Sequence, residues 1–353
     1  TRNVTDMSYM FNYCEVLTII ELSSNFDTRN VTDMEQMFCG CYELVNLDLS
    51  SFDTTSVINM VNMFNECYSL VVLDLNSFDT RNVTDMSSMF YNCVNINSDN
   101  LNKIENYGNI TGFPWMFAYC NNIRILNNNT ISFKGIKNIS HMFYYCNNLN
   151  NISDDLDFTD VEDASYLFGY INNRRGIPNR IPNFQNTNNL KSIAGLYAQW
   201  NSLSNYYATI PYNTDNVENV SRLFTSCYYL RGVANFNTAK VKDMSYMFSG
   251  CQGYFNYTLI PNFNTDNVEN MAGMFSSTPT QTIPHFNTAK VKNMASMFSS
   301  TSLRNLPELN TSNVEDMTSM FSSTGSFTIA PNLDTSNVKS MAQTFYGSGI
   351  TTM

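Results

Sequence analysis

Basic side chains, histidine and long apolar runs are all scarce in this 353-residue chain. Lysine and arginine number 19 against 30 aspartates and glutamates, a net charge of −11 with only 14% of residues charged. That balance argues against contact with a nucleic-acid backbone, which needs clustered cations. No apolar stretch approaches the roughly 18–20 residues that a membrane span requires, so no span is expected. No signal peptide is present; Thr1 is not an initiator Met, and the chain reads as a mature or partial one. The two histidines, His141 and His285, have no Ser or Cys partner at a recognisable motif spacing. No phosphate loop or metal motif occurs either. The sequence therefore offers no catalytic residues and no cofactor site, and it reads as a non-enzyme rich in Asn, Ser and Thr.

What fills the chain is a repeat. Aligning it on its Met-Phe pairs gives fourteen units, anchored from Phe11 and Phe38 through to Phe321 and Phe345, at spacings of 23 to 29 residues. A clear unit reads FDTRNVTDMEQMFCGCYELVNLDLSS, from Phe26 to Ser51. In its first half Val31, Met34, Met37 and Phe38 recur at i, i+3, i+6 and i+7. That spacing places them on one face of a short helix. Asp27 and Thr28 stand where N-caps would, and Gly40 where a stop would. In the second half Leu44, Leu47 and Leu49 form L-x-x-L-x-L, a short extended segment with Leu47 and Leu49 on one side. A unit this small cannot bury its own apolar face, so neighbours must stack.

The expectation is therefore an α/β repeat solenoid, right-handed and curved. One parallel sheet would run through nearly all units, with short helical segments on the opposite side. Strands stack about 4.8 Å apart and packed helices about 8–10 Å, so the strand side should be concave. The whole of 1–353 is expected to be a single solenoid, irregular at about 95–212.

The pattern F-D/N-T-x-x-V-x-x-M-x-x-M-F-x-x-C-x-x-L-x-x-L-x-L resembles the BspA-like leucine-rich repeats, in the short Met-Phe variant found in bacterial surface lipoproteins. The resemblance covers nearly the whole chain and weakens between about Asn95 and Tyr212. It implies a leucine-rich-repeat fold and display at a cell surface, with adhesion or partner binding as the activity. It supplies no catalytic residues.

Several columns carry chemistry of their own. Eight of nine cysteines, from Cys14 and Cys41 to Cys251, fall three residues after the anchor, and Thr278, Thr301, Thr324 and Ser348 continue the column. Exchange with small hydroxyl residues marks a compact buried position. An odd total, one per unit, is no disulfide framework. Glu21, Asp48 and Asp74 lie in register ten residues past their anchors. They read as a hydrated acidic stripe, with a calcium column as the alternative. In the late units Asp215 and Glu218, Lys240 and Lys242, Asp266 and Glu269, and Lys290 and Lys292 alternate in sign, which favours one register over a slip by one unit.

The irregular middle gathers Arg174, Arg175, Arg180, Trp200, Tyr206 and Tyr207, residue types that dominate interface hot spots. These residues form a candidate binding surface, or else mark a unit that has drifted. Two functions stay open. One is a surface module that recognises a protein or glycan on a host or on a neighbouring subunit. The other is a structural part of a virion fibre or extracellular filament. Either places the chain at a cell or virion surface. The first unit opens already at its cap position, and the last ends in Gly-Ser-Gly-Ile-Thr-Thr-Met. One end is accordingly expected to pack on a further domain or subunit.

Overall fold

A computed structural model describes residues 1–22, 26–73, 75, 77–98, 109–171, 181–200, 207–252, 260–326 and 328–352. The chain divides into two compact units, Thr1–Ile177 and Pro178–Met353. Both are built from the repeat, and the anchors form their cores. Phe38, Phe64, Phe90, Phe117, Phe143 and Phe168 are buried in the first unit, and Tyr197, Phe224, Phe248, Phe275, Phe298 and Phe321 in the second. Successive anchor rings stack almost parallel, as Phe38 on Phe64 (5.7 Å, 3°) and Phe275 on Phe298 (6.2 Å, 1°).

The Met-Phe segments are not helices. Among the described residues the helical structure is confined to short 3-10 turns, such as Thr187–Asn189. Each Met-Phe segment is instead a string of β-turns whose backbone bonds reach the next repeat. Between Met34 and Cys41 every N–H has a partner. Those of Met34, Gln36, Phe38 and Gly40 donate forward to the carbonyls of Asn59, Val61, Met63 and Asn65, at 2.8–3.0 Å. Those of Met37, Cys39 and Cys41 close turns on Met34, Gln36 and Phe38. The Glu35 N–H donates to Asp33 Oδ1 at 2.9 Å. Inter-repeat bonding of this density demands strand-like spacing, about 4.8 Å, which is too close for helices at 8–10 Å. The turns need a left-handed residue at every fourth position, here Gln36 (φ 52°) and Gly40 (φ 71°).

Sheet structure is likewise dispersed. Among the described residues three two-stranded parallel pairs form: β1 (Asn46–Leu47) with β2 (Val72–Leu73), β3 (Ile125–Leu126) with β4 (Asn151–Ile152), and β5 (Tyr207–Ala208) with β6 (Gly232–Val233). The longer ladder of parallel bridges runs on the other side of the repeat, through Asp6, Asp33, Asn59 and Asp85, and again from Ser192 through Asn219 and Asp243 to Ser340. The expected single sheet is thus a set of short pairs, and most inter-repeat bonding passes through the turn strings. Leu44, Leu47 and Leu49 do face the core.

The supposed caps serve the turns. Asp53 Oδ1 accepts the N–H of Thr55, two residues on, at 3.0 Å. The buried threonine beside each such turn clasps the next repeat: Thr54 Oγ1 donates to Asp79 O, and Thr265 Oγ1 to Asn287 O, at 3.1 and 2.9 Å.

Candidate binding surface

The sequence-derived sites scatter. Asp74, Arg174, Arg175, Arg180 and Tyr206 lie outside the described residues. Glu21 and Asp48 are exposed. Asp48 already accepts the Ser50 N–H at 2.9 Å, and the bonds from Ser50 hold its carboxyl below the usual carboxylate range. Among the described residues no three His, Cys, Asp or Glu side chains are grouped to hold a metal. Trp200 is fully buried and stacks on Tyr197 at 4.7 Å and 12°, so its indole is core and does not reach the surface. Tyr207 is exposed, in β5.

The cysteine column is buried except at Cys14, and all nine thiols are free. From Cys41 on, each Sγ of the column donates to the anchor carbonyl one repeat back, as Cys93 to Phe64 O at 2.9 Å and Cys251 to Phe224 O at 3.1 Å. Where threonine takes over, the shorter Oγ1 bonds within its own repeat instead, as Thr301 to Phe298 O at 2.8 Å. Burial pushes the thiols from Cys41 to Cys251 up, Cys41 to about 11, so they are poor nucleophiles.

The late charges do pair between repeats. Lys242, Lys292 and Lys339 bond Glu218, Glu269 and Glu315, each one repeat earlier, at 2.6–2.7 Å. Lys242 is paired to Glu218 and only feels the charge of Glu269, one repeat on.

A surface that the hot-spot argument overlooked stands out in the first unit. On the exposed side of the turn strings, Tyr91, Trp115, Tyr119, His141, Tyr144, Tyr145, Tyr166 and Tyr170 form a half-exposed aromatic mosaic. Trp115, His141 and Tyr166 stack in one column (3.9 Å, then 4.7 Å), and Tyr119, Tyr145 and Tyr170 in a second (5.0 Å, then 5.4 Å). Tyr144 packs edge-on between the columns, against Trp115 and Tyr119. Six of these residues hold left-handed backbone, with φ between 54° and 64°. Bulky side chains rarely adopt that conformation.

The second unit supplies a control. At the equivalent positions of three consecutive repeats, those anchored at Phe275, Phe298 and Phe321, it carries Gly273, Ser277, Ser296, Ser300, Ser319 and Ser323, with φ of 56–59°, and Ser299 replaces Tyr144. The same turn string folds without a ring at any of these positions. The fold therefore does not require the aromatics. His141 lies inside the mosaic, its Nδ1 without a hydrogen-bond partner, and burial lowers its pKa to about 4. A neutral, unpartnered imidazole is no proton shuttle at neutral pH. The sequence signal for the surface was present: YNC, WMFAYC, HMFYYC and YLFGY put aromatics at outward positions of four consecutive repeats.

A family model described as "Mycoplasma protein of unknown function, DUF285" matches residues 5–129, 72–179, 138–258, 191–302 and 255–351. No curated protein matches the chain. Among solved structures, the crystal structure of a leucine-rich repeat protein from Bacteroides ovatus ATCC 8483 is similar over 98% of this chain and 75% of that one, at 13% identity and a TM-score of 0.45. No helix among the described residues is long and apolar enough to cross a membrane.

Proposed function

The chain belongs to the DUF285 family, and from that premise we propose that it is a non-catalytic recognition module, displayed outside the cell, that binds a macromolecular partner. Within this reading the repeats are BspA-like leucine-rich repeats whose solenoid serves as a scaffold. The observation that carries it is the aromatic mosaic of the first unit, set on a scaffold that forms equally well with serine in its place. Half-exposed tyrosine and tryptophan are the side chains from which protein interfaces draw most of their energy. The exposed carboxylates, phenols and amides of this face are suited to adhesion and lack the paired acid, base and nucleophile of an enzyme.

The test is adhesion. The purified chain would be presented to immobilised extracellular-matrix proteins and to a glycan array, beside a variant with Trp115, Tyr119, Tyr144 and Tyr145 all changed to serine. Binding by the native chain that the fourfold variant loses is the expected result. Equal binding by both, or none by either, overturns the reading.

A further inference from the structure

The charge of the chain is unevenly placed. Residues 1–177 hold 21 acidic against 9 basic side chains, whereas 178–353 hold 9 against 10. The face that carries the mosaic is acidic at its other end. Tyr42 and Tyr68 stack there at 4.9 Å, and Tyr13 meets Tyr42 edge-on at 6.2 Å. The pKa values of the Tyr13 and Tyr42 phenols are raised, Tyr13 first by Cys39 and Tyr42 first by burial, and both also by the nearby charges of Glu66 and Glu15. Glu35 accepts the Tyr9 hydroxyl at 2.9 Å. Among the described residues none of Glu15, Glu35, Glu43 and Glu66 is in an ion pair, while the arginines Arg29 and Arg81 are paired to Asp27 and Asp79.

The second unit shows what the ring column accepts. Arg222 lays its guanidinium 4.3 Å over the ring of Tyr246, one repeat on in the same column. In the first unit the corresponding successive positions are Ser88 and Trp115, so there the chain supplies no arginine of its own.

We propose that the partner of this face is a basic polypeptide segment, its arginines stacking on the rings of the first unit and its charge met by Glu15, Glu35, Glu43 and Glu66. This rests on the recognition reading above and names the partner's chemistry. A planar guanidinium stacks on an aromatic ring and bonds a carboxylate at the same time; an ammonium does only the second well. The acid excess speeds encounter with a cationic partner and repels anionic ones, nucleic acid and sulfated glycans included.

Fluorescence anisotropy with a labelled nona-arginine peptide tests it on the full chain. Two variants accompany the native protein: the fourfold serine variant, whose net charge is unchanged, and Glu15→Gln/Glu43→Gln/Glu66→Gln, whose rings are untouched. Each should weaken binding at least about tenfold, as loss of interface hot spots does, and nona-lysine should bind the native chain more weakly than nona-arginine. Native-like affinity in the serine variant would reduce the effect to bulk charge and overturn the proposal. If the serine variant fails to fold, native-like affinity in the glutamine variant overturns it equally. Absence of nona-arginine binding also overturns it; neutral oligosaccharides binding in its stead would leave the recognition reading standing without the basic partner.

Discussion

The thiol of Cys67 donates to the carbonyl of Phe38, one repeat earlier, across 3.2 Å in a fully buried layer. That carbonyl also accepts the Cys41 N–H at 3.2 Å, so losing the thiol leaves no buried acceptor unpaired. Cys67→Ala should cost only a small cavity, roughly 1 kcal/mol. Cys67→Thr should cost less, its hydroxyl turning to Phe64 O as Thr301 turns to Phe298 O. Urea titration of both variants checks the order, and a threonine costlier than alanine would contradict it.

Burial of the thiols has a pH consequence. Cys39 and Cys41 are raised by burial from the ordinary 9.0 to about 11. Between those values the unfolded chain has released protons that the folded chain keeps. Stability is thus full below pH 9 and falls as pH rises from there through about 11. Native alkylation at pH 8 should modify the half-exposed Cys14 first, with the buried column reacting only on unfolding. Several fast-reacting thiols would refute the picture.

A single hydroxyl joins two repeats at Thr54. Its Oγ1 donates to Asp79 O at 3.1 Å and accepts the Asp79 N–H at 2.7 Å. Valine has nearly the same shape and offers neither bond, leaving a donor and an acceptor unmatched beside a fully buried site. Thr54→Val should therefore destabilise by about 1–3 kcal/mol, and Thr54→Ser by less. Thermal melts that rank serine below valine would sink the argument.

The alternating ladder makes its own prediction. Lys292 bonds Glu269 at 2.6 Å and also feels Glu315 one repeat on. Lys292→Glu would set three glutamates in a row at an exposed position. The melting temperature should drop, and the deficit should shrink as the screening length falls from about 30 Å at 0.01 M salt to about 3 Å at 1 M. A deficit independent of salt would mean that packing, not charge, sets the effect.

Sequence pattern carried the repeat, its register and the buried columns, because a side chain that must be buried in every repeat leaves the same letter class in every repeat. Met34, Met37 and Phe38 were legible as core for that reason. Their secondary structure was misleading. Spacings of i, i+3, i+6 and i+7 suit one helical face, and they also suit linked turns whose inward positions recur in the same way. The decisive fact is where the backbone N–H groups go, and it depends on the neighbouring repeat, as with Gln36 and Val61. The tyrosine, serine and glycine at left-handed positions were a hint, since β-branched residues avoid them. The aromatic mosaic was harder to read for another reason: its two columns form only by stacking between repeats, although Tyr144 and Tyr145 also touch within one repeat.

His141 offers a direct probe of that mosaic. Its imidazole lies between Trp115 at 3.9 Å and Tyr166 at 4.7 Å, with Tyr144 tilted against it. Burial lowers its pKa from 6.5 to about 4, opposed by the charge of Asp163. In the unfolded chain the same group takes up a proton near 6.5. Between the two values the unfolded state holds more protons, so stability rises with pH across that window and is lost as pH falls from about 6.5 toward 4. His141→Gln should flatten that part of the stability curve while leaving stability above pH 7 nearly unchanged. Proton NMR of the imidazole follows the titration directly. If His141 titrates near 6.5 in the folded chain, the ring is open to water, and the stacked column through Trp115 and Tyr166 is not closed around it in solution.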